Sequence, residues 1–222
     1  IQDVINNKSQ IILSNTYHLF LKGYDKIKKL GGLHQALGFN KPMLTDSGGY
    51  QIFAMNFQGV SSDIKGSKQQ NFKPTLISVD DSKAVFRSYY NKQKMILNPE
   101  ISIQVQIDLG ADLIVAFDEC TSTSLDYQGT KKSLERSNLW EKQSLEYFKK
   151  HTNNKQAMYG VVQGGIYQDL RKISCDFINQ NDFFGIAVGG CLGNTQQQMY
   201  QTVNFTMEHL VKDRPVQLLG IG

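Results

Sequence analysis

The chain has 222 residues, of which 40% are hydrophobic and 20% charged, and its formal net charge is +4. This is the composition of an ordinary globular protein with enough chain for one sizeable core or two small ones. No apolar run approaches the roughly 18 residues of a membrane span, and the scattered Lys and Arg residues permit a polyanionic partner without requiring one.

Three cysteines, Cys120, Cys175 and Cys191, are odd in number and lack the spacing of a metal site. They predict a reduced, cytoplasmic protein with no zinc site in this segment. The first ten residues contain neither a signal-peptide pattern nor an initiator Met. We therefore expect the chain to be truncated at both ends, inside a longer protein.

The first part of the chain predicts two strands with a helix between them. Gln10–Leu13 reads as a strand, Tyr24 to about Leu37 shows helical periodicity, and a second short strand runs into Asp46. Residues 55–75 are polar and rich in Gly, Ser and Gln, which predicts a long surface loop.

Residues 76 to about 97 predict a small antiparallel meander with turns at Asp80-Asp81 and Asn91-Lys92. Its Arg87-Tyr89-Tyr90 run mixes charge and aromatic rings as RNA-binding surfaces do. A half-buried meander explains the same run nearly as well, so both interpretations stand.

Regular alternation follows the meander. A helix is predicted with Pro99 in its first turn and Gly110 at its end. The later elements are a strand over Asp112–Phe117, a helix over Lys131–His151, a strand over Ala157–Val162, a helix over Asp169–Asn179, a strand over Phe183–Val188, a helix with a capping box at Thr195, and a closing strand from Val216. About six strands with intervening helices predict an α/β fold with a parallel sheet, either a barrel or a doubly wound sheet.

Polar and glycine-rich residues follow the predicted strands. The strand ends read SNTYH (14–18), DSGGY (46–50), FDEC (117–120), VQGG (162–165), VGG (188–190) and LGIG (219–222). Because sites in parallel α/β folds lie at these carboxyl ends, we expect two carboxylates, an amide and three glycine turns to converge there.

The residue types suggest roles at such a site. Asp46 and Asp118 each follow an apolar strand that would desolvate them, which suits acid/base or ligand-orienting carboxylates. Gln163 offers a donor and acceptors for the edge of a purine or amide, and Tyr50 could stack on a planar ring. The glycine pairs let backbone amides approach a ligand.

Structural interpretations compete with each of these roles. Any one residue could serve a turn or a helix cap, and the glycine pairs lack the adjacent Lys of a phosphate loop. Asp118, Glu119 and Cys120 could ligate a metal, although neighbouring strand residues face opposite ways. His18 could be catalytic or a hydrogen-bonded packing residue.

Several motifs together resemble one family. NTYHL (15–19), TDSGGYQIF (45–53), NPEISIQVQIDLGAD (98–112) with FDECT, YGVVQGGIYQDLR (159–171), AVGG and LLGIG occur in the order seen in tRNA-guanine transglycosylases, the queuine or preQ1 tRNA-ribosyltransferases. The resemblance covers essentially the whole chain. It implies a (β/α)8 TIM barrel with insertions, incomplete here at about six strands, with residues 1–222 as the catalytic barrel domain. It also implies exchange of guanine at the tRNA wobble position for queuine or preQ1 through a covalent tRNA intermediate.

The resemblance also implies residue roles. Asp46 is the acid/base that manages the proton on the departing and incoming bases, and Asn15 holds it before tRNA binds. The base is then contacted by Tyr50 through stacking, by Asp118, Gln163 and the backbone of Gly190 at its guanine-like edge, and by Leu219 and Gly220 along the pocket. Such a reaction needs stacking and edge recognition of a flipped base and two carboxylates, one a nucleophile.

The family's nucleophilic Asp belongs to a motif downstream of LLGIG, and its zinc-binding Cys/His cluster lies further on. We therefore expect zinc in the full-length protein but no zinc ligands in this chain. A barrel cut after about six strands has open edges, so we expect these residues alone to fold poorly and to lack exchange activity. The expected partners are tRNA, the free base and a second subunit, in a homodimer or heterodimer, and no membrane.

The sequence departs from the family pattern in two loops, and two other functions compete with the family assignment. The 55–75 loop is longer than the usual family connection. VGGCLGN (188–194) is shorter than its usual counterpart, and this shorter loop would admit bulky queuine. A non-catalytic paralogue that pairs with an active subunit is the main alternative, although the retention of Asp46, Asp118 and Gln163 argues against it. An unrelated barrel hydrolase would need a metal site or a nucleophile that the sequence does not reveal.

Overall fold

The computed structural model describes residues 1–54, 75–121, 124–190, 193 and 195–220. The predicted 55–75 loop lies outside these residues except for Thr75. Of the short loop in VGGCLGN, positions 191, 192 and 194 also lie outside them, so neither loop prediction is tested here.

The described residues form two sheets. The larger is a six-stranded parallel sheet of β1 (Ile12–Ser14), β2 (Met43–Thr45), β6 (Leu113–Val115), β7 (Ala157–Val162), β8 (Gly185–Val188) and β9 (Val216–Leu218), in the order β1-β2-β6-β7-β8-β9. The smaller is an antiparallel meander of β3 (Leu76–Asp80), β4 (Lys83–Arg87) and β5 (Lys94–Leu97). The parallel strands run in chain order without reversal, whereas a doubly wound sheet reverses its order at a switch point. The predicted incomplete barrel is confirmed, and the doubly wound alternative is wrong.

The helices lie between these strands. Within the described residues they are α1 (Gln2–Asn6), α2 (Thr16–Lys22), α3 (Asp25–Lys29), α4 (Leu33–Leu37), α5 (Gly49–Ala54), α6 (Pro99–Leu109), α7 (Tyr127–His151), α8 (Gln168–Gln180) and α9 (Gln196–His209). In the described ranges, none of them is long and apolar enough to cross a membrane.

The single helix predicted over Tyr24–Leu37 is wrong. Gly31 and Gly32 separate α3 from α4 with backbone φ angles of +91° and +102°, a region that favours glycine. A Cβ on Gly32 would lie 2.9 Å from the carbonyl oxygen of Leu109 at the end of α6. The break therefore lets the backbones of two connections pass close together.

Capping side chains set the helix limits. Asn98 accepts a hydrogen bond from Ile101 N (2.8 Å) at the start of α6, and Gly110 ends that helix with φ +68°. Helix α7 begins a turn earlier than predicted because Asp126 accepts from Gly129 N (2.8 Å). The predicted cap at Thr195 is confirmed by its side-chain bond to Gln198 N (3.1 Å).

Two apolar layers frame the carboxyl ends of the parallel strands. The main core lies between the sheet and its helices, with Ile103, Ile114 and Ile186 fully buried. The meander packs through Phe86 and Leu97 against a second cluster that contains Tyr17, Ile52, Phe117 and Trp140. The meander is thereby fixed beside the strand ends where the candidate site lies.

Candidate active site

The predicted convergence at the strand ends is present for the central strands. Asp118 follows β6 and Gln163 follows β7, and Gln163 Nε2 donates a hydrogen bond to Asp118 Oδ2 at 2.6 Å. From the other side, Ser47 Oγ, after β2, donates to Asp118 Oδ1 at 3.0 Å. Three neighbouring strands thus supply one hydrogen-bonded cluster around a single carboxylate.

Asp118 is only 6% exposed. Burial raises the pKa of its carboxyl to about 6, against the opposing effect of the hydrogen bonds from Gln163 and Ser47. Near neutral pH the group is therefore close to its titration point, and any ligand N–H that donates to it favours the ionised form.

The Gln163 amide is buried and oriented. Its backbone N–H is held by Ser174 Oγ at 3.0 Å, and its Oε1 has no hydrogen-bond partner among the described residues. A Cβ on Gly190 would lie 2.3 Å from that Oε1, and Gly190 has φ +78°. The glycine therefore leaves room for the buried amide beside the turn that follows β8.

Asp46 forms a second polar centre after β2. Its Oδ1 accepts from Thr16 N (2.7 Å), and its Oδ2 accepts from Asn15 Nδ2 (2.5 Å) and from Gln51 Nε2 (3.4 Å). Burial raises the pKa of Asp46 to about 6, and the charge of Asp118 adds to the rise while the hydrogen bonds oppose it. The contact between Asn15 and Asp46 that the resemblance implied is present in this structure.

The remaining predicted site residues lie at the rim. Tyr50, in the first turn of α5, is 38% exposed, and burial together with nearby Cys120 raises its pKa. Leu219 packs beside the inner apolar residues Val161 and Ala187. Gly220 is exposed, with no atom within 4 Å of the place a Cβ would take apart from its chain neighbours.

Arg171 is a site residue that sequence reasoning missed. It is 1% exposed and donates to the carbonyl oxygens of Gly165 (2.7 Å), Val162 (3.1 Å) and Gly189 (2.9 Å). It therefore ties the two glycine turns after β7 and β8 together. The available signal was a cation in the apolar stripe of α8, between Leu170 and the buried residues one turn on.

Helix α7 also contributes polar side chains that sequence reasoning missed. Strands β6 and β7 part just before the site, and Ser144 Oγ accepts from Phe117 N at 3.1 Å. Glu141, fully buried, accepts from Val161 N at 2.8 Å. Side chains of α7 thus replace the missing ladder partners at the point where the strands separate.

The residues present do not fit a metal. Glu119 turns away from Asp118 and pairs with Arg136, so the FDEC segment does not gather its ligands on one side. Among the described residues, no group of three His, Cys, Asp or Glu side chains is placed to hold a metal ion.

Comparison with known proteins adds a family. A family model described as queuine tRNA-ribosyltransferase matches residues 1–222. A Roseiflexus protein named queuine tRNA-ribosyltransferase is 38% identical over 99% of this chain and 58% of its own length. Proteins of that name from Chlamydia caviae and Chlamydia pneumoniae are each 42% identical over 96% of this chain and 57% of theirs. The chain thus spans less than two thirds of the length of these relatives.

Proposed function

Because the chain belongs to the queuine tRNA-ribosyltransferase family, we propose that it carries the base-binding part of an enzyme that exchanges guanine at the wobble position of tRNA for queuine or preQ1. The observation that carries this proposal is the buried Asp118–Gln163 pair, in which Gln163 Nε2 donates one of its two N–H groups to Asp118 Oδ2 at 2.6 Å.

The pair matches the edge of guanine. Guanine presents two N–H donors beside a carbonyl acceptor. Asp118 accepts from the donors, and the second amide N–H of Gln163, with the backbone N–H at Gly190, donates to the carbonyl. Tyr50 at the rim stacks on the exposed face of the base, and Leu219 supports the wall. Adenine reverses the edge and would set its ring nitrogen against the Asp118 oxygen.

Asp46 is the proton donor in one half of the exchange and the proton acceptor in the other. In the first half of the exchange, the bond between the ribose C1′ and guanine N9 breaks as a carboxylate oxygen bonds to C1′, and Asp46 gives its proton to the leaving base. In the second half, Asp46 takes the N9 proton of the incoming 7-deazaguanine, whose N9 then displaces the carboxylate from C1′. A pKa of about 6 suits a group that both donates and accepts near neutral pH.

The attacking carboxylate is assigned to a residue outside these 222. Asp46 is engaged by Asn15 and Thr16, and Asp118 by Ser47 and Gln163. On this assignment the chain by itself binds the base without exchanging it. The association with a second subunit, identical or paralogous, and the zinc of the full-length protein remain predictions. A purely non-catalytic role is disfavoured by the hydrogen-bonded Asp46, which base binding alone does not require.

The two carboxylates are separable by kinetics of guanine exchange into tRNA, measured with the purified full-length protein that contains this chain. Asp118→Asn should raise KM for the base at least tenfold, because Asn presents an N–H where the base presents donors. Asp46→Asn should lower kcat by about 100-fold or more with little change in KM, because it removes the proton carrier.

The matched control is Asp213→Asn, which changes an exposed carboxylate on the connection into the amino end of β9. It should behave as the unaltered protein. The proposal is wrong if Asp118→Asn leaves KM for the base unchanged, or if Asp46→Asn exchanges guanine at the normal rate.

A further inference from the structure

The loop between β4 and β5 carries positive charges that have no role in the candidate active site. We call residues 87–94 the hairpin tip. Between Ser82 and Pro99 the sequence has four cations, Lys83, Arg87, Lys92 and Lys94, and no carboxylate. The last three lie in the hairpin tip and are exposed.

These cations lack counterions. No carboxylate of the described residues lies within ion-pair distance of Arg87, Lys92 or Lys94. Arg87 and Lys94 are direct cross-strand partners in the antiparallel ladder. Like charges in that position destabilise a hairpin, so the fold itself gains nothing from placing two cations there.

The hairpin tip is nevertheless held rigidly. Ser88 is buried, and its Oγ accepts from Tyr90 N (3.1 Å) and Asn91 N (3.3 Å). Its carbonyl accepts from Lys92 N (2.9 Å), and Lys92 adopts φ +62°. The turn therefore holds the backbone of Tyr90 between the cations in sequence, and the Tyr90 side chain is 65% exposed.

A chain of contacts joins the hairpin tip to the candidate site. The hydroxyl of Tyr89 lies 2.8 Å from His18 Nδ1, and the Tyr89 ring packs near Tyr17. His18 N donates to Asn15 Oδ1, and Asn15 Nδ2 donates to Asp46. These contacts link the hairpin tip, through Tyr89, to Asp46 in the candidate site.

We propose that the hairpin tip binds single-stranded RNA next to the extruded base, with Arg87, Lys92 and Lys94 on the phosphates and Tyr90 stacked on a neighbouring base. This deepens the proposed function and rests on it. Cations without a carboxylate partner among the described residues match a polyanion, and an exposed aromatic ring matches an unstacked base. In this assignment His18 is a positioning residue that fixes Tyr89 and hence the loop.

The test measures the affinity of the purified protein for an anticodon stem-loop with guanine at the wobble position, from about 0.05 to 0.3 M salt. The combined variant Arg87→Ala, Lys92→Ala, Lys94→Ala should weaken binding roughly 10- to 100-fold and reduce the salt slope by about 2, since each lost phosphate contact removes 0.7 to 0.9. Tyr90→Ala should weaken binding to the stem-loop roughly tenfold and leave binding to an RNA duplex of equal length unchanged.

The control removes three exposed cations elsewhere, Lys26, Lys150 and Lys155. It should change the affinity less than twofold. All seven positions are exposed, so the variants should keep the unfolding temperature of the unaltered protein. Equal affinities and salt slopes for the two triple variants would overturn the hairpin-tip proposal while leaving the base site in place. Failure of the unaltered protein to bind the stem-loop would overturn the proposed function as well.

Discussion

At the residue scale, the candidate site requires a residue without a side chain at position 190. Gly190→Ala should weaken guanine binding at least tenfold, because its Cβ would lie 2.3 Å from Gln163 Oε1 and would push the amide away from Asp118. The measurement is a calorimetric titration of the purified variant with guanine.

Gly23→Ala is the matched control. Gly23 has φ +81°, close to the +78° of Gly190, but a Cβ there would meet nothing within 4 Å. Both variants should lose about 1 kcal/mol of stability from backbone strain, and only Gly190→Ala should lose affinity. Equal guanine affinity in the two variants would show that the clash with Gln163 does not matter.

Sequence reasoning could reach the residues that follow strands directly. Asp118 and Gln163 could be brought together because the carboxyl ends of neighbouring parallel strands share one edge. Ser47 and Arg171 could not be found this way. Ser47 reaches Asp118 only through the conformation of the turn after β2. Arg171 lies on α8, and the sequence does not determine which face of that helix points towards the strand ends.

At the element scale, side chains of α7 bond to the backbone of β7 and of the segment after β6, where these strands separate ahead of Gln163 and Asp118. The buried Glu141 carboxyl accepts from Val161 N, and its other oxygen has no partner among the described residues. Burial raises the pKa of Glu141 well above its ordinary value, and the charge of Asp118 raises it further. Burial therefore favours the neutral form of the Glu141 carboxyl in the folded protein.

Glu141→Ala should lower the free energy of unfolding by about 2–4 kcal/mol, because it removes the buried acceptor of Val161 N and leaves a cavity. The effect is measured by denaturant unfolding. Glu146→Ala, at an exposed position of the same helix, should stay within about 0.5 kcal/mol of the unaltered protein.

The same carboxyl predicts a pH dependence. Its folded-state pKa lies above its unfolded value, so the folded state binds the extra proton and stability is lost as the pH rises through the folded pKa. Glu141→Gln cannot ionise, so its stability should fall less as the pH rises above the ordinary pKa of a glutamate carboxyl. An equally steep fall in Glu141→Gln and the unaltered protein would contradict a neutral, buried Glu141.

The sequence predicted the limits of a helix correctly only where a recognisable capping or stop residue stands at its end. Asn98, Gly110 and Thr195 mark helix limits that the sequence could predict. The break at Gly31-Gly32 was missed, since helical periodicity continues across it and the need for glycine comes from the close approach to Leu109. Gly32 and Leu109 are distant in sequence, so a local sequence pattern cannot reveal this contact.

At the scale of the whole molecule, strand–helix alternation predicted a parallel sheet, but the strand order and the barrel needed the family motifs. Alternation alone fits a doubly wound sheet equally well. The edge strands β1 and β9 expose Leu13 by 52% and Leu218 by 43%, as open sheet edges do. The expectation that residues 1–222 alone fold poorly and do not exchange bases stays a prediction.

Base recognition by the Asp118–Gln163 pair is tested most directly by titrating the purified protein with guanine and with adenine. We predict saturable guanine binding and at least about 30-fold weaker adenine binding, because adenine sets a ring-nitrogen acceptor against Asp118 where guanine presents a donor. Equal affinity for the two purines, or no guanine binding by folded protein, would contradict the assignment of this pair as the guanine-reading site.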